Sequence, residues 1–440
     1  MYHHKDTYYL YYLNKIRIED LTHPPSDGVG MATSHDGVHW NEFGCVLPRD
    51  EGATGQGTGS VWKAEDFEKS GKFIMNYSTW GGKWGKDQLI RFAESPDLVH
   101  WEKLCSEFMF RVDSRWYEST RWDCIYTIPR PGGGRYGYWT ASPKGSPGFG
   151  FGESPDGRHW TALEPPEMLY DKDGEVGAVE RFGDAFYMLY AGGFTTLVAQ
   201  APQGPFRLVE RNRRFLVGNA SYFIRFLPAP DGMLVNHQSW PLVGGLKNCN
   251  YALREGKMWF APLKRGVVDS QGTLRMAYWE GNEELKGRRL DPKTAIGHVG
   301  ANSGIALSAE RLNLERGLVL EAVVQLPADD ASRAGLYLET DPRDRGVCLL
   351  AGRNGVVEFG SVKSDGSDFT LDADGRWDRE LRFGATCRLR LFLRHSMLEL
   401  YLDDVLIQAH GLREEPTGRI GIIGTPHTSL TDVQMWEMSL

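Results

Sequence analysis

Ser34-His35-Asp36-Gly37-Val38-His39-Trp40 returns as Ser95-Pro96-Asp97-Leu98-Val99-His100-Trp101 and again as Ser154-Pro155-Asp156-Gly157-Arg158-His159-Trp160. The shared pattern is Ser-x-Asp-x-x-His-Trp. Asp36 and Asp97 are 61 residues apart, and Asp97 and Asp156 are 59 apart. That period is slightly above that of propeller blades built from four strands. Each copy reads as a turn in which the Asp carboxylate folds onto nearby backbone amides while the Trp packs between sheets. These residues are architecture rather than catalysts.

Working outward from the turns, a second beat of alternating aromatic and β-branched residues marks strands at Tyr8 to Tyr12, Lys72 to Tyr77, Arg135 to Trp139, Ala185 to Tyr190 and Met233 to Asn236. Turn signals precede most of them: Ser70-Gly71, Gly132-Gly133-Gly134, Gly183-Asp184 and Asp231-Gly232, as hairpins require. Five beats predict a five-bladed β-propeller over residues 1–285. Radial sheets protect their edges and leave a central channel that suits a small molecule.

Beyond about Gly287 the period is lost. Alternating strands follow at Leu318 to Val324, Gly335 to Glu339, Val347 to Ala351, Arg388 to Leu393, Leu398 to Leu402 and Gly418 to Ile423. They predict a β-sandwich over residues 296–440, with a charged linker near Gly281 to Ala295. No long amphipathic helix is visible, so the fold class is all-β.

Composition agrees with two domains, since 440 residues exceed what one core usually serves. A net charge of −8 and the lack of a Lys/Arg run leave no footprint for nucleic acid. Cys45, Cys105, Cys124, Cys249, Cys348 and Cys387 are scattered without metal-ligand spacing, so reduced thiols are expected and neither a metal nor another cofactor. Nothing approaches the ~18 apolar residues of a membrane span. A leader is not evident, but one carried upstream of Met1 would leave secretion open.

Several segments resemble glycoside hydrolase family 32, the β-fructosidases, and its propeller relatives in family 43. Gly57-Thr58-Gly59-Ser60-Val61-Trp62 resembles the blade-two segment with a Ser-Gly-Ser core that lines the sugar pocket. Arg121-Trp122-Asp123-Cys124 resembles the Arg-Asp-Pro segment, with an extra Trp and with Cys in place of Pro. Glu175-Val176-Gly177, followed by Gly183-Asp184 and the strand Phe186 to Tyr190, resembles the Glu-Cys-Pro segment. Leu391 to Tyr401, with Ser396 ahead of Met397-Leu398-Glu399-Leu400-Tyr401, resembles the strand pair of the C-terminal sandwich.

The resemblance implies a retaining glycoside hydrolase for β-fructosides of the sucrose, inulin or levan type, with an oligosaccharide or polysaccharide as its partner. Retention takes two carboxyl groups, one attacking the anomeric carbon and one protonating the leaving oxygen, and a third carboxylate often holds substrate hydroxyls. Glu175 would be the acid/base and Asp123 the third carboxylate, with Arg121 beside it. Glu180 is a rival for Glu175, which otherwise reads as a solvated turn residue. For Asp123 the plain alternative is a structural ion pair with Arg121. The attacking Asp would fall at or just ahead of Met1, because Asp6 sits where the family has a hairpin turn. Either the natural protein supplies that Asp upstream, or the chain is a noncatalytic carbohydrate-binding relative. An arabinosidase or xylosidase of the neighbouring family is the third reading.

Indole faces stack on sugars, and Trp62, Trp80, Trp84, Trp116, Trp122, Trp139 and Trp240 are candidates. Trp80 is favoured because its Gly-rich segment, Thr79 to Gly85, suits a rim. Ser60 and Trp62 join it as substrate-binding residues through the blade-two segment. His237, between Asn236 and Gln238, is expected to donate into the channel.

Overall fold

The computed structural model describes residues 1–14, 28–82, 88–191, 195–209, 214–218, 221–239, 259–291, 304–308, 311–341, 343, 345–426 and 428–440. Trp84, Trp240, Cys249 and residues 292–295 of the expected linker lie outside them. The described chain is almost wholly β, with one four-residue α-helix at Phe67–Ser70 and two short 3-10 turns. Among the described residues no helix is long and apolar enough to cross a membrane.

The chain divides into two compact units. The first takes in Met1–Arg213 and Phe223–Asn236, and the second takes in Arg214–Tyr222 and Lys257–Leu440, apart from shorter stretches. In the first unit, β1 (Tyr2–His4), β2 (Thr7–Asn14), β3 (Gly28–Ser34) and β4 (Asn41–Pro48) form one antiparallel sheet in sequence order. The next sheet holds β5 (Gly55–Gly57), β6 (Val61–Lys63), β7 (Phe73–Trp80), β8 (Leu89–Ser95) and β9 (Glu102–Lys103), with β5 and β6 both on β7. A third runs β10 (Tyr117–Pro129), β11 (Arg135–Pro143), β12 (Gly150–Ser154), β13 (Thr161–Ala162). The fourth contains β14 (Met168–Leu169), β15 (Ala178–Phe182), β16 (Ala185–Tyr190), β17 (Thr195–Ala199) and β18 (Phe206–Leu208), and there β14 joins β18 in parallel. The hairpin of β19 (Ser221–Ala229) and β20 (Gly232–Ser239) follows, with Phe223–Asn236 in this unit and its ends, 221–222 and 237–239, in the second.

The three repeated turns join the last two strands of a sheet, β3 to β4, β8 to β9 and β12 to β13. Asp97 Oδ1 accepts the amides of Val99 at 2.9 Å and His100 at 2.8 Å, while Oδ2 meets His100 Nδ1 at 2.7 Å. Asp36 and Asp156 repeat these bonds. The residue after each Asp is left-handed: Gly37 at φ 74°, Leu98 at 68° and Gly157 at 81°. Leu98 adopts this conformation at a position where glycine is free of strain. Its carbonyl accepts Tyr11 Oη at 2.6 Å and Trp101 Nε1 at 3.1 Å, and its side chain is buried. Trp160 carries the packing outward, lying stacked with Phe92 and edge-on to Trp62 of the preceding sheet.

The second unit opens with β21 (Trp259–Phe260), β22 (Lys264–Val268), β23 (Leu274–Tyr278) and β24 (Lys286–Arg289). There follow β25 (Ile305–Leu307), β26 (Leu318–Gln325), β27 (Ala334–Glu339), β28 (Arg345–Ala351), β29 (Val356–Lys363), β30 (Thr370–Asp378), β31 (Thr386–Arg394), β32 (Met397–Leu402), β33 (Val405–Gly411), β34 (Ile420–Ile423) and β35 (Leu430–Met438). One sheet carries β33, β32, β31, β26 and β35 side by side, and another runs β25, β34, β27, β28, β29, β30. Both contribute to one apolar core. Leu318, Leu320, Ala322 and Val324 of β26 and Leu389, Leu391 and Leu393 of β31 enter it from the first sheet, and Leu336, Leu349 and Ile422 from the second. The spacing of two is the pleat's own period.

Candidate functional site

Asp123 sits midway along β10, opposite Thr140 of β11. The ladder shifts register between Asp123 and Tyr126, and Cys124 inside that irregularity takes φ 57°. A bulge of this kind re-aims the side chains beside it. Proline is excluded from such a residue, because its ring fixes φ near −65°. Cys124 is therefore not a neutral stand-in for the proline of the Arg-Asp-Pro segment.

Neighbouring residues fasten the bulge. Buried Asn76 of β7 donates through Nδ2 to Ile125 O at 2.9 Å and accepts the Ile125 amide on Oδ1 at 3.0 Å. Ser60 Oγ donates to the same Ile125 carbonyl. Cys124 Sγ lies 2.8 Å from Thr58 O and 3.2 Å from Asp123 Oδ1, so its single proton can serve one of them at a time. Burial pushes this thiol well above its ordinary value and keeps it neutral.

Asp123 itself is 13% exposed at the side chain, and both of its oxygens have donors. Ser78 Oγ, buried on β7, donates to Oδ1. Arg121 Nη2 lies 3.3 Å from Oδ2. The same nitrogen donates to Glu175 Oε1 at 2.6 Å. One guanidinium thus joins a carboxylate of β10 to one in the segment just ahead of β15, and such charge-assisted bonds are the strong kind. Burial alone would weaken the Arg121 charge, but the Glu175 bond and the charges of Asp123 and Glu175 raise its affinity for the proton.

Glu175 stands just ahead of β15, in a segment tied down by backbone bonds. The Val176 amide donates to Thr140 Oγ1 at 3.2 Å, and the Gly177 amide donates to Leu189 O at 2.7 Å. Arg225 Nη1 reaches Gly177 O at 2.6 Å. Glu180, the rival carboxyl, lies on β15 and accepts Tyr126 Oη at 2.7 Å. Burial pushes its carboxyl up to about 7, against the Tyr126 bond and the Arg135 charge.

Trp80 ends β7 and is 37% exposed. Its ring covers Gly55, where any Cβ would overlap the indole, and a Cβ at Gly57 would meet Ser78 Oγ, Asp123 Oδ1 at 3.2 Å and Trp80 Cζ3 at 3.6 Å. Glycine at 55 and 57 is what lets the ring and Asp123 draw together. Asp123, Glu175, Arg121, Ser60 and Trp80 are thus assembled at one place, although the Ser60 hydroxyl is spent on backbone.

Two expected sugar contacts are corrected. Trp62 is 2% exposed, in the apolar core with Phe92 and Trp160, and Trp122 and Trp139 are buried in the same core. The Trp62 indole makes T-shaped contacts with the rings of Phe92 and Trp160. His237 is fully buried in the second unit, with Nε2 3.1 Å from Glu399 Oε1 and 2.9 Å from Lys264 Nζ. Burial holds this imidazole below its usual value, which makes it part of a buried polar network. Asp6 is exposed in the turn between β1 and β2. Ser78 and Asn76 were not singled out in the sequence, where the only signal is two polar residues spaced by two on an apolar strand. Among the described residues no group of His, Cys, Asp or Glu could hold a metal ion.

No family model matches the chain, and no curated protein matches it. Solved structures do. Fructan 1-exohydrolase IIa from Cichorium intybus aligns with TM-score 0.74 and 11% identity over 100% of this chain and 94% of that one. The exo-inulinase from Aspergillus awamori gives 0.70 and 11%, over 99% and 94%. A Bombyx mori family 32 β-fructofuranosidase, a variant in complex with sucrose, gives 0.71 and 12%, over 99% and 89%. At such identities the likeness speaks for architecture, and from end to end this chain is folded as the family 32 β-fructofuranosidases and inulinases are.

Proposed function

We propose that the chain is a glycoside hydrolase acting on β-fructosides by a retaining, two-carboxylate reaction, on a five-bladed β-propeller (residues 1–285) followed by a β-sandwich (residues 296–440). The observation that carries this reading is the single Arg121 nitrogen bonded to Asp123 and Glu175. A carboxylate of β10 and one from the segment ahead of β15 converge there beside a half-exposed indole, as a sugar site requires. The names of the structural neighbours support the substrate class, since sucrose and 1-kestose are bound in two of them.

In this reading Glu175 protonates the leaving oxygen and then draws a proton from the water that releases the sugar. Asp123 accepts hydrogen bonds from furanose hydroxyls, Ser78 fixes its other oxygen, and Arg121 keeps both carboxylates oriented. Trp80 offers its face to C–H groups. Asp6, exposed in the turn between β1 and β2, takes no part in this reading. The test is fructose release from sucrose, 1-kestose, inulin and levan by the purified protein, with arabinan and xylan fragments as controls. Fructose release is expected, and Glu175→Gln should lower kcat by about a thousandfold. Full turnover by that variant would reject the assignment.

A further inference from the structure

Tyr126 follows Asp123 by three residues on β10, and Glu180 follows Glu175 by five, inside β15. Their side chains meet, with Tyr126 Oη donating to Glu180 Oε1 at 2.7 Å. Tyr126 is only 7% exposed, so the bond forms where water competes little. A second tie joins the same two sheets, from the Val176 amide to Thr140 Oγ1, and Thr140 stands directly opposite Asp123. The Asp123–Arg121–Glu175 bridge is thus flanked by a backbone tie beside it and a side-chain tie further along the strands.

We propose that Tyr126 and Glu180 are a positioning pair, a polar brace between β10 and β15 that sets the separation of Asp123 and Glu175 without touching substrate. The proposal rests on the reading of Asp123 and Glu175 given above. Arg121 alone is a loose spacer, since its side chain is 44% exposed. Tyr126 is buried and Glu180 half-buried, so the brace is better shielded from solvent than Arg121. Arg135 of β11 faces the pair and is itself held by Thr127 Oγ1 at 2.9 Å and Glu65 Oε1 at 3.4 Å. Its charge therefore sits fixed beside Glu180, whose carboxyl burial favours in the protonated form. Glutamine at 180 would keep the acceptor that Tyr126 uses.

The test compares the intact protein with Tyr126→Phe, Glu180→Met and Glu180→Gln by hydrogen–deuterium exchange and by fructose release. Tyr126→Phe and Glu180→Met should speed exchange over residues 171–177 by about tenfold and leave residues 89–95 unchanged. They should also lower kcat by about tenfold at nearly constant KM, as expected for a misplaced reacting group. Glu180→Gln should match the natural chain in both respects. The proposal is overturned by unchanged exchange over 171–177, by equal acceleration over 89–95, by a kcat that ignores the altered exchange, or by Glu180→Gln behaving as Glu180→Met. If the natural chain releases no fructose, the functional reading falls while the exchange comparison still decides whether the brace exists.

Discussion

Cys124 holds a left-handed backbone conformation, and that one residue turns Asp123 toward Ser78 and Arg121. The Asp and Glu segments were legible in the sequence because they resemble short family motifs. Their supports were not. Asn76 and Ser78 act on a strand more than forty residues away, and no local pattern encodes a partner at that distance. Trp62 and His237 misled for a related reason, since an indole or an imidazole reads alike in sequence whether it lines a pocket or fills a core. Glu180 makes its own prediction at this scale. Its folded carboxyl is raised to about 7, from an ordinary 4.5. Below the ordinary value both states hold the proton and its contribution is whole. As pH rises toward 7 the unfolded chain releases the proton first, so stability falls by up to about 3 kcal/mol. Urea unfolding at pH 5 and pH 7.5 should show this loss in the natural chain and a smaller one in Glu180→Gln. Equal pH dependence in the two proteins would contradict it.

At the scale of elements, the Ser-x-Asp-x-x-His-Trp turns were the most readable feature, because the carboxylate bonds that close them span at most three residues. The beats at Lys72 to Tyr77 and Ala185 to Tyr190 correspond to β7 and β16 for the same reason, as their alternation is local. Strand β30 was illegible. It is an edge strand with mostly exposed residues, and although Leu371 and Ala373 alternate with Asp372 and Asp374, the Asp372-Ala373-Asp374-Gly375 run reads as a turn. Each turn carboxylate is also a stability element. Burial alone would raise the Asp97 carboxyl, but bonds from the His100 and Val99 amides and from the His100 and Ser95 side chains hold it well below the ordinary range. Its contribution is present above pH 4 and fades as pH falls further. Asp97→Ala should cost about 1–2 kcal/mol near neutrality, as loss of a comparable side-chain cap does. Thermal or urea melts would measure it, and an unchanged midpoint would show the turn to be dispensable.

Across the whole molecule, two units with separate apolar clusters carry an architecture that persists in proteins sharing about one residue in nine with this chain. Such persistence is intelligible because alternation, turn chemistry and glycine at close approaches fix a β fold while leaving most side chains free to vary. What must stay coupled is smaller: the carboxylates of Asp123 and Glu175 and the guanidinium between them. The most direct measurement of that coupling is a double-mutant cycle on fructose release from 1-kestose with Asp123→Asn, Glu175→Gln and the pair together. If both groups act on one furanoside through one site, the double variant should be little worse than the poorer single one, because residues that work as a unit lose activity non-additively. Losses that simply multiply, or full turnover by either single variant, would contradict it.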